Sequence, residues 1–155
     1  MAWRLPHSQW AAQKGTRNRN ALRKIVKFGP PPGVLAYAGK QPIGWCALAP
    51  REQYIALGRS RVLAPLDAKP VWSISCFFVE KLFRKRGVSV ALLKAAAAFA
   101  KKRGAKILEG YPYDYRAGKM PDVFVWTGLP GTFLKAGFSE AARRSPTRPI
   151  VRRAL

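Results

Sequence analysis

The sequence predicts a single α/β domain of the α+β kind, and three observations predict it. A hairpin signature at residues 33–48 is followed by a strand pattern at 71–79 and then by an Ala- and Leu-rich helix over 88–103. A length of 155 residues fits one domain, and a 48% apolar fraction with five Trp, five Tyr and eight Phe supplies the volume of a core. Neither an internal repeat nor a dividing linker is visible.

Residues 1–19 form a basic leader ahead of a domain expected over 20–155. Asn20 is placed to cap a short helix through Phe28, with Leu22, Ile25 and Val26 on one face, and Gly29 followed by Pro30, Pro31 and Pro32 stops it. Residues 33–38, the turn Gly39-Lys40-Gln41-Pro42 and residues 43–48 read as strand, tight turn and strand. Within 71–79, Trp72, Ile74, Cys76 and Phe78 alternate with Ser73, Ser75 and Phe77, so the two sets are expected on opposite faces. The helix from Val88 ends in Lys101, Lys102, Arg103 and Gly104, with cations where the helix dipole favours them and a glycine at the stop. Residues 105–111 are expected as a strand, 112–122 as loop, and 129–136 as a short helix with Pro130 in its first turn and Gly137 beyond it. A closing strand is expected over 138–142 and again near Ile150 and Val151.

Lys and Arg number 29 against 7 Asp and Glu, a net charge of +22. Acids are missing from Met1 to Arg51, from 81 to 108, and from 141 to the end, where Arg143, Arg144, Arg148, Arg152 and Arg153 cluster. Such an imbalance bears on partners rather than on fold, and points to nucleic acid or another polyanion. The carboxylates are scattered singly, so no paired-carboxylate site is expected. Cys46, Cys76 and His7 are too few for a structural zinc site or a disulfide framework, which predicts no metal and a reduced, cytoplasmic setting. H-E-x-x-H, Walker A and G-x-G-x-x-G motifs are absent, and His7 lies in a polar leader unsuited to a hydrolase triad. No apolar run is long enough for a membrane span, and residues 1–10 lack the apolar stretch of a signal peptide.

The informative junction is a strand, then a basic loop with glycine, then the long helix. The first turn of a helix leaves N–H donors unpaired and carries partial positive charge, so this junction is an anion site, with Arg84, Lys85 and Arg86 adding charge. Arg84-Lys85-Arg86-Gly87-Val88-Ser89 resembles the Q/R-x-x-G-x-G/A pyrophosphate loop of the Gcn5-related N-acetyltransferases, the GNAT family. Phe133-Leu134-Lys135-Ala136-Gly137-Phe138 is similar to that family's Y-E-K-x-G-F ending of the following helix, and the element order matches from about Asn20 to Phe138.

The resemblance implies a mixed, mostly antiparallel sheet flanked by helices and splayed open between the strand ending at Val79 and the strand through Ile107, with acetyl-CoA as cosubstrate in the opening. Backbone groups of Phe77, Phe78 and Val79 would meet the pantetheine arm and thioester. N–H groups across Arg84, Lys85, Arg86, Gly87, Val88 and Ser89 would hold the pyrophosphate, and an N–H aimed at the thioester oxygen would stabilise negative charge there. Departures are equally informative. Ser89 replaces a Gly or Ala, Phe133, which the resemblance places among the cofactor-binding residues, stands where many members carry the Tyr that protonates the leaving thiolate, and Ser73 occupies a position where some place a Glu base. Glu109 and Tyr111 remain as candidate catalytic groups, with Glu52, Tyr113 and Asp114 behind them.

The implied activity is acetyl transfer from acetyl-CoA to an amine, with the acceptor open among small amines, protein amines and aminoacyl groups on RNA. Positive charge disfavours polycationic acceptors and favours acidic or nucleic-acid-associated ones. The alternative is an inactive basic module of the same fold that binds RNA or the ribosome. The short N-terminal portion leaves room for a second chain, as in a homodimer, to complete the acceptor side.

Overall fold

The computed structural model describes residues 1–115 and 125–155. Among the described residues five α-helices and six strands follow in the order α1 (His7–Ala12), α2 (Thr16–Phe28), β1 (Gly33–Ala38), β2 (Gln41–Pro50), α3 (Ile55–Gly58), β3 (Trp72–Val79), α4 (Val88–Lys102), β4 (Ile107–Gly110), α5 (Pro130–Lys135), β5 (Ser139–Arg143) and β6 (Pro149–Ala154). One sheet holds all six strands in the order β1-β2-β3-β4-β6-β5. Every neighbouring pair is antiparallel except β3 with β4. That parallel pair needs a crossover, and α4 supplies it.

The parallel pairing is short. It runs Trp72 to Leu108, Ser73 to Glu109 and Ile74 to Gly110, and there it ends while β3 continues to Val79. The two strands therefore part at the middle of the sheet, as the resemblance implied.

A bulge sets which side chains reach which face. Ala47 pairs with Cys76 and Leu48 with Ile74, so Ser75 has no partner and the alternation shifts by one residue. Trp72, Ile74, Phe77 and Val79 consequently share the α4 face. The expected set of Trp72, Ile74, Cys76 and Phe78 is broken at this bulge, because simple period-two counting cannot register an extra residue. On the α4 side the core gathers Cys46, Leu48, Leu92, Leu93, Ala96, Ala97 and Ala100 with Phe133 and Phe138. The small alanines of α4 let the helix lie close on the strands.

A second, smaller core of Ala49, Tyr54, Leu57, Leu63, Tyr111 and Ile150 lies apart from it, and Trp3 packs against it. The leader is thus part of the fold: the Trp3 carbonyl accepts from Ala56 N–H at 3.1 Å, and the Arg4 guanidinium donates to Gln53 Oε1 at 2.7 Å. Its helix begins at Thr16 rather than Asn20, after Gly15 with φ +80°, and the buried Asn18 donates to the Trp10 carbonyl at 2.9 Å. Asn20 therefore lies inside the helix and caps nothing. The last two strands form a hairpin in which β6, later in sequence, inserts between β4 and β5. The loop expected over 112–122 falls partly outside the described residues. Among the described residues no helix is long and apolar enough to cross a membrane.

Candidate active site

Where β3 and β4 part, a cleft of about 950 Å³ opens. Phe77, Phe78 and Val79 line one side, Arg84, Lys85, Gly87, Val88 and Ser89 the end beneath α4, and Val125, Trp126, Gly128, Leu129, Thr132 and Lys135 the facing wall. The sequence singled out the first two groups. It missed the wall of residues 125–135, whose only signal was a Trp-Thr-Gly stretch before a proline-led helix.

The loop into α4 is shaped to present backbone donors. Lys85 has φ 60° and Gly87 has φ 80°, so the chain turns sharply before the helix and leaves its first N–H groups pointing outward. Among the described residues no N–H from 85 to 90 has a hydrogen-bond partner, and no side chain caps the helix. Above Gly87 a Cβ would meet nothing within 4 Å. Unpaired donors, the positive end of a 15-residue helix and the cations of Lys85 and Arg84 converge on one volume. Such an arrangement can hold an anionic group. Arg84 also braces the strand end, its Nε donating to the Val79 carbonyl at 3.0 Å. Arg86 does not line the cleft; its guanidinium lies 5.9 Å from the Phe83 ring centre.

At the other end, the Phe77 N–H donates to the Trp126 carbonyl at 2.7 Å across the gap between strands. That donor is spent, and Phe77 contributes its ring to the cleft rather than a free N–H. Strand alternation aims the Val79 N–H at the same edge. Phe133 does not line the cleft: it is fully buried, edge-on to Phe77 at 5.8 Å and to Phe138 at 5.1 Å.

Glu109 and Tyr111 come together, in a closed buried network outside the cleft. Glu109, 1% exposed, accepts from Arg51 at 2.9 Å, from Tyr111 Oη at 2.6 Å and from Arg152 Nε at 2.7 Å. Ser73 Oγ lies 2.7 Å from Tyr111 Oη, so the strand position at which the resemblance places a Glu in some members belongs to the same network. Arg51 also donates to the Leu57 and Leu63 carbonyls, tying the 51–66 segment to the sheet. Burial first, then the Glu109 carboxylate, pushes the Tyr111 phenol well above its ordinary value, which keeps it protonated. Arg51 carried no sequence signal as an organiser, because its partners lie about 60 residues away on another strand. Glu52 is exposed, and Asp114 is bridged to Arg143 at 2.6 Å. The Tyr113 ring lies 5.7 Å from the Arg148 guanidinium. None of the described candidates for a base lines the cleft.

The sequence model of the acetyltransferase (GNAT) family matches residues 2–117, and the chain belongs to that family. No curated protein matches the chain in sequence. Solved structures share the fold at low identity. The NatC complex bound to Gag peptide and CoA aligns at 12% identity with a TM-score of 0.58, covering 88% of this chain and 79% of that one. PaiA N-acetyltransferase from Thermoplasma acidophilum, in complex with coenzyme A, aligns at 14% identity and TM-score 0.58, covering 96% and 77%. The GNAT domain of S. lividans PAT aligns at 18% identity and TM-score 0.54, covering 86% and 68%.

Proposed function

We propose that the cleft between β3 and β4 binds acetyl-CoA and that the protein transfers the acetyl group to an amine. The observation that carries this reading is the set of unpaired N–H groups on Lys85, Gly87, Val88, Ser89 and Val90, residues that line a cleft of about 950 Å³. The volume suits an extended ligand, and donors with nearby cations suit its diphosphate. The residues present therefore fit the cosubstrate. Bound there, it supplies the activated acyl group; the amine nitrogen forms a bond to the thioester carbon, the carbon–sulfur bond breaks, and one amine proton ends on the departing thiol or solvent.

Lys85, Gly87, Val88, Ser89 and Val90 hold the diphosphate through backbone donors, with the Lys85 side chain adding charge. The Val79 N–H is the donor for the thioester oxygen, since Phe77 N–H is engaged by Trp126. Arg84 fixes the carbonyl of that same Val79 and so keeps the strand end in place. Catalysis rests on positioning and on backbone dipoles. Glu109 and Tyr111 hold the architecture and take no proton. Without a base among the described cleft residues, acceptors that are already partly unprotonated are favoured. An α-amino group, with a pKa of about 7.7–8.0, meets that condition far better than an alkylamine near 10.4.

Thermal unfolding with CoA is the direct test. At about 100 times its Kd a ligand of the native state adds about 2.7 kcal/mol, which raises Tm by several degrees. Gly87→Glu places a carboxylate among the donors and should abolish that rise, with thiol release from acetyl-CoA falling by at least about a hundredfold, the equivalent of some 2.7 kcal/mol. An unshifted Tm in the unaltered protein would remove the reading. A normal shift with no thiol release across α-amino and alkylamine acceptors would leave a module that binds CoA without catalysing transfer.

A further inference from the structure

The excess of charge is spent very unevenly. The Arg-rich C-terminus is consumed internally: Arg143 pairs with Asp114 and Glu140, and Arg144 donates to the Ala64 and Pro65 carbonyls. Arg148 donates to Thr127 Oγ1, Arg152 is held by Glu109 and Asp67, and Arg153 reaches the Ala136 carbonyl. These side chains serve β5 and β6, and are poorly placed to grip a partner.

Helix α2 is the opposite case. Of its 13 residues only Asn18 is buried, while Ala21, Leu22 and Ile25 are half-buried. Arg17, Arg19, Arg23, Lys24 and Lys27 are exposed and carry no ion pair or hydrogen bond among the described residues. Arg19, Arg23 and Lys27 stand four residues apart, so they form one stripe with a step of about 6 Å along the axis. No acid occurs anywhere from Met1 to Arg51 to neutralise it. At the end of the stripe Phe28 is 77% exposed, with the Lys27 ammonium 5.2 Å from its ring centre.

From these observations we infer that the exposed face of α2 is a docking surface for a nucleic-acid strand. The face repels a second copy of itself, and its regular row of cations without ion pairs among the described residues, with an exposed aromatic ring at one end, complements phosphates and a base. An anionic membrane is a poorer fit, because only Val26 and Phe28 are exposed apolar groups on this helix and they lie together at its last turn.

The test is binding of the full chain to a short fluorescent single-stranded RNA, followed over a salt series. Arg19→Glu/Arg23→Glu/Lys27→Glu should weaken binding at least about tenfold near 0.1 M salt and reduce the slope of log K against log salt by about two, three contacts at roughly 0.7 each. Lys101→Glu/Lys102→Glu/Lys106→Glu makes the same charge change at another exposed surface and should stay within about twofold after the common loss of long-range attraction is screened. Unchanged circular dichroism and an unchanged CoA-induced Tm shift show that the α2 variant is folded. Equal losses in the two variants would overturn the inference, since diffuse charge would then explain binding. So would an α2 variant that loses phosphatidylserine vesicles while keeping RNA.

Discussion

Glu109 is the residue at which the difference between a catalytic and an architectural role becomes measurable. Its carboxylate faces Arg51 and Arg152 at once, and Arg51 is only 8% exposed. Removing the carboxylate leaves a buried guanidinium without a counter-ion, a change that costs about 3–5 kcal/mol. Glu109→Ala should therefore lose roughly that much in urea unfolding, while Glu52→Ala, on an exposed side chain, should change stability by less than about 0.5 kcal/mol. If Glu109→Ala unfolded like the unaltered protein and yet lost acetyl transfer with a changed pH profile, the carboxylate would be the base after all. Sequence position alone could not separate these outcomes. A glutamate on a strand across the opening looks the same in either role until its partners are seen, and those partners come from the segment after β2 and from β6.

At the scale of elements, the strand, loop and helix that make the anion site were legible because each is encoded locally. Alternation marks β3, an Ala-rich run marks α4, and a glycine between cations marks the turn. What was not legible depended on contacts distant in sequence or on irregularity: the bulge at Ser75, the insertion of β6 between β4 and β5, and the wall of the cleft built by residues 125–135. The meeting of β4 with α5 is one such distant contact, and it explains a glycine that the sequence left unremarked. A Cβ on Gly110 would collide with Phe133 Cε1 and lie 2.8 Å from its Cζ, so the strand must be bare there for the ring to pack. Gly110→Ala should destabilise by about 1–3 kcal/mol through overpacking. Combined with Phe133→Leu, which withdraws the clashing ring atoms, it should lose less than the sum of the single losses by about 1 kcal/mol or more, read from a double-mutant cycle in urea. Additive losses would mean that the strand shifts away instead.

For the whole molecule the governing quantity is +22, because most of the described carboxylates are already paired with arginine and what remains is repulsion among cations. Two effects of salt then compete. Screening weakens the exposed bridges such as Arg143 with Glu140, each worth at most about 1 kcal/mol, and it also weakens the repulsion spread over the surface. The buried Arg51–Glu109 pair is screened much less than either. With 29 cations against 7 anions the repulsive pairs far outnumber the attractive ones, so relief of repulsion should win. Tm should rise as salt increases from about 0.01 to 0.15 M, the range over which the Debye length contracts from roughly 30 to 8 Å. The Arg19→Glu/Arg23→Glu/Lys27→Glu variant lowers the charge where it is least compensated and should show a smaller rise. A Tm that fell with salt in the unaltered protein would mean that the exposed bridges of β5 and β6 outweigh the repulsion, and that the basic face of α2 costs the folded state little.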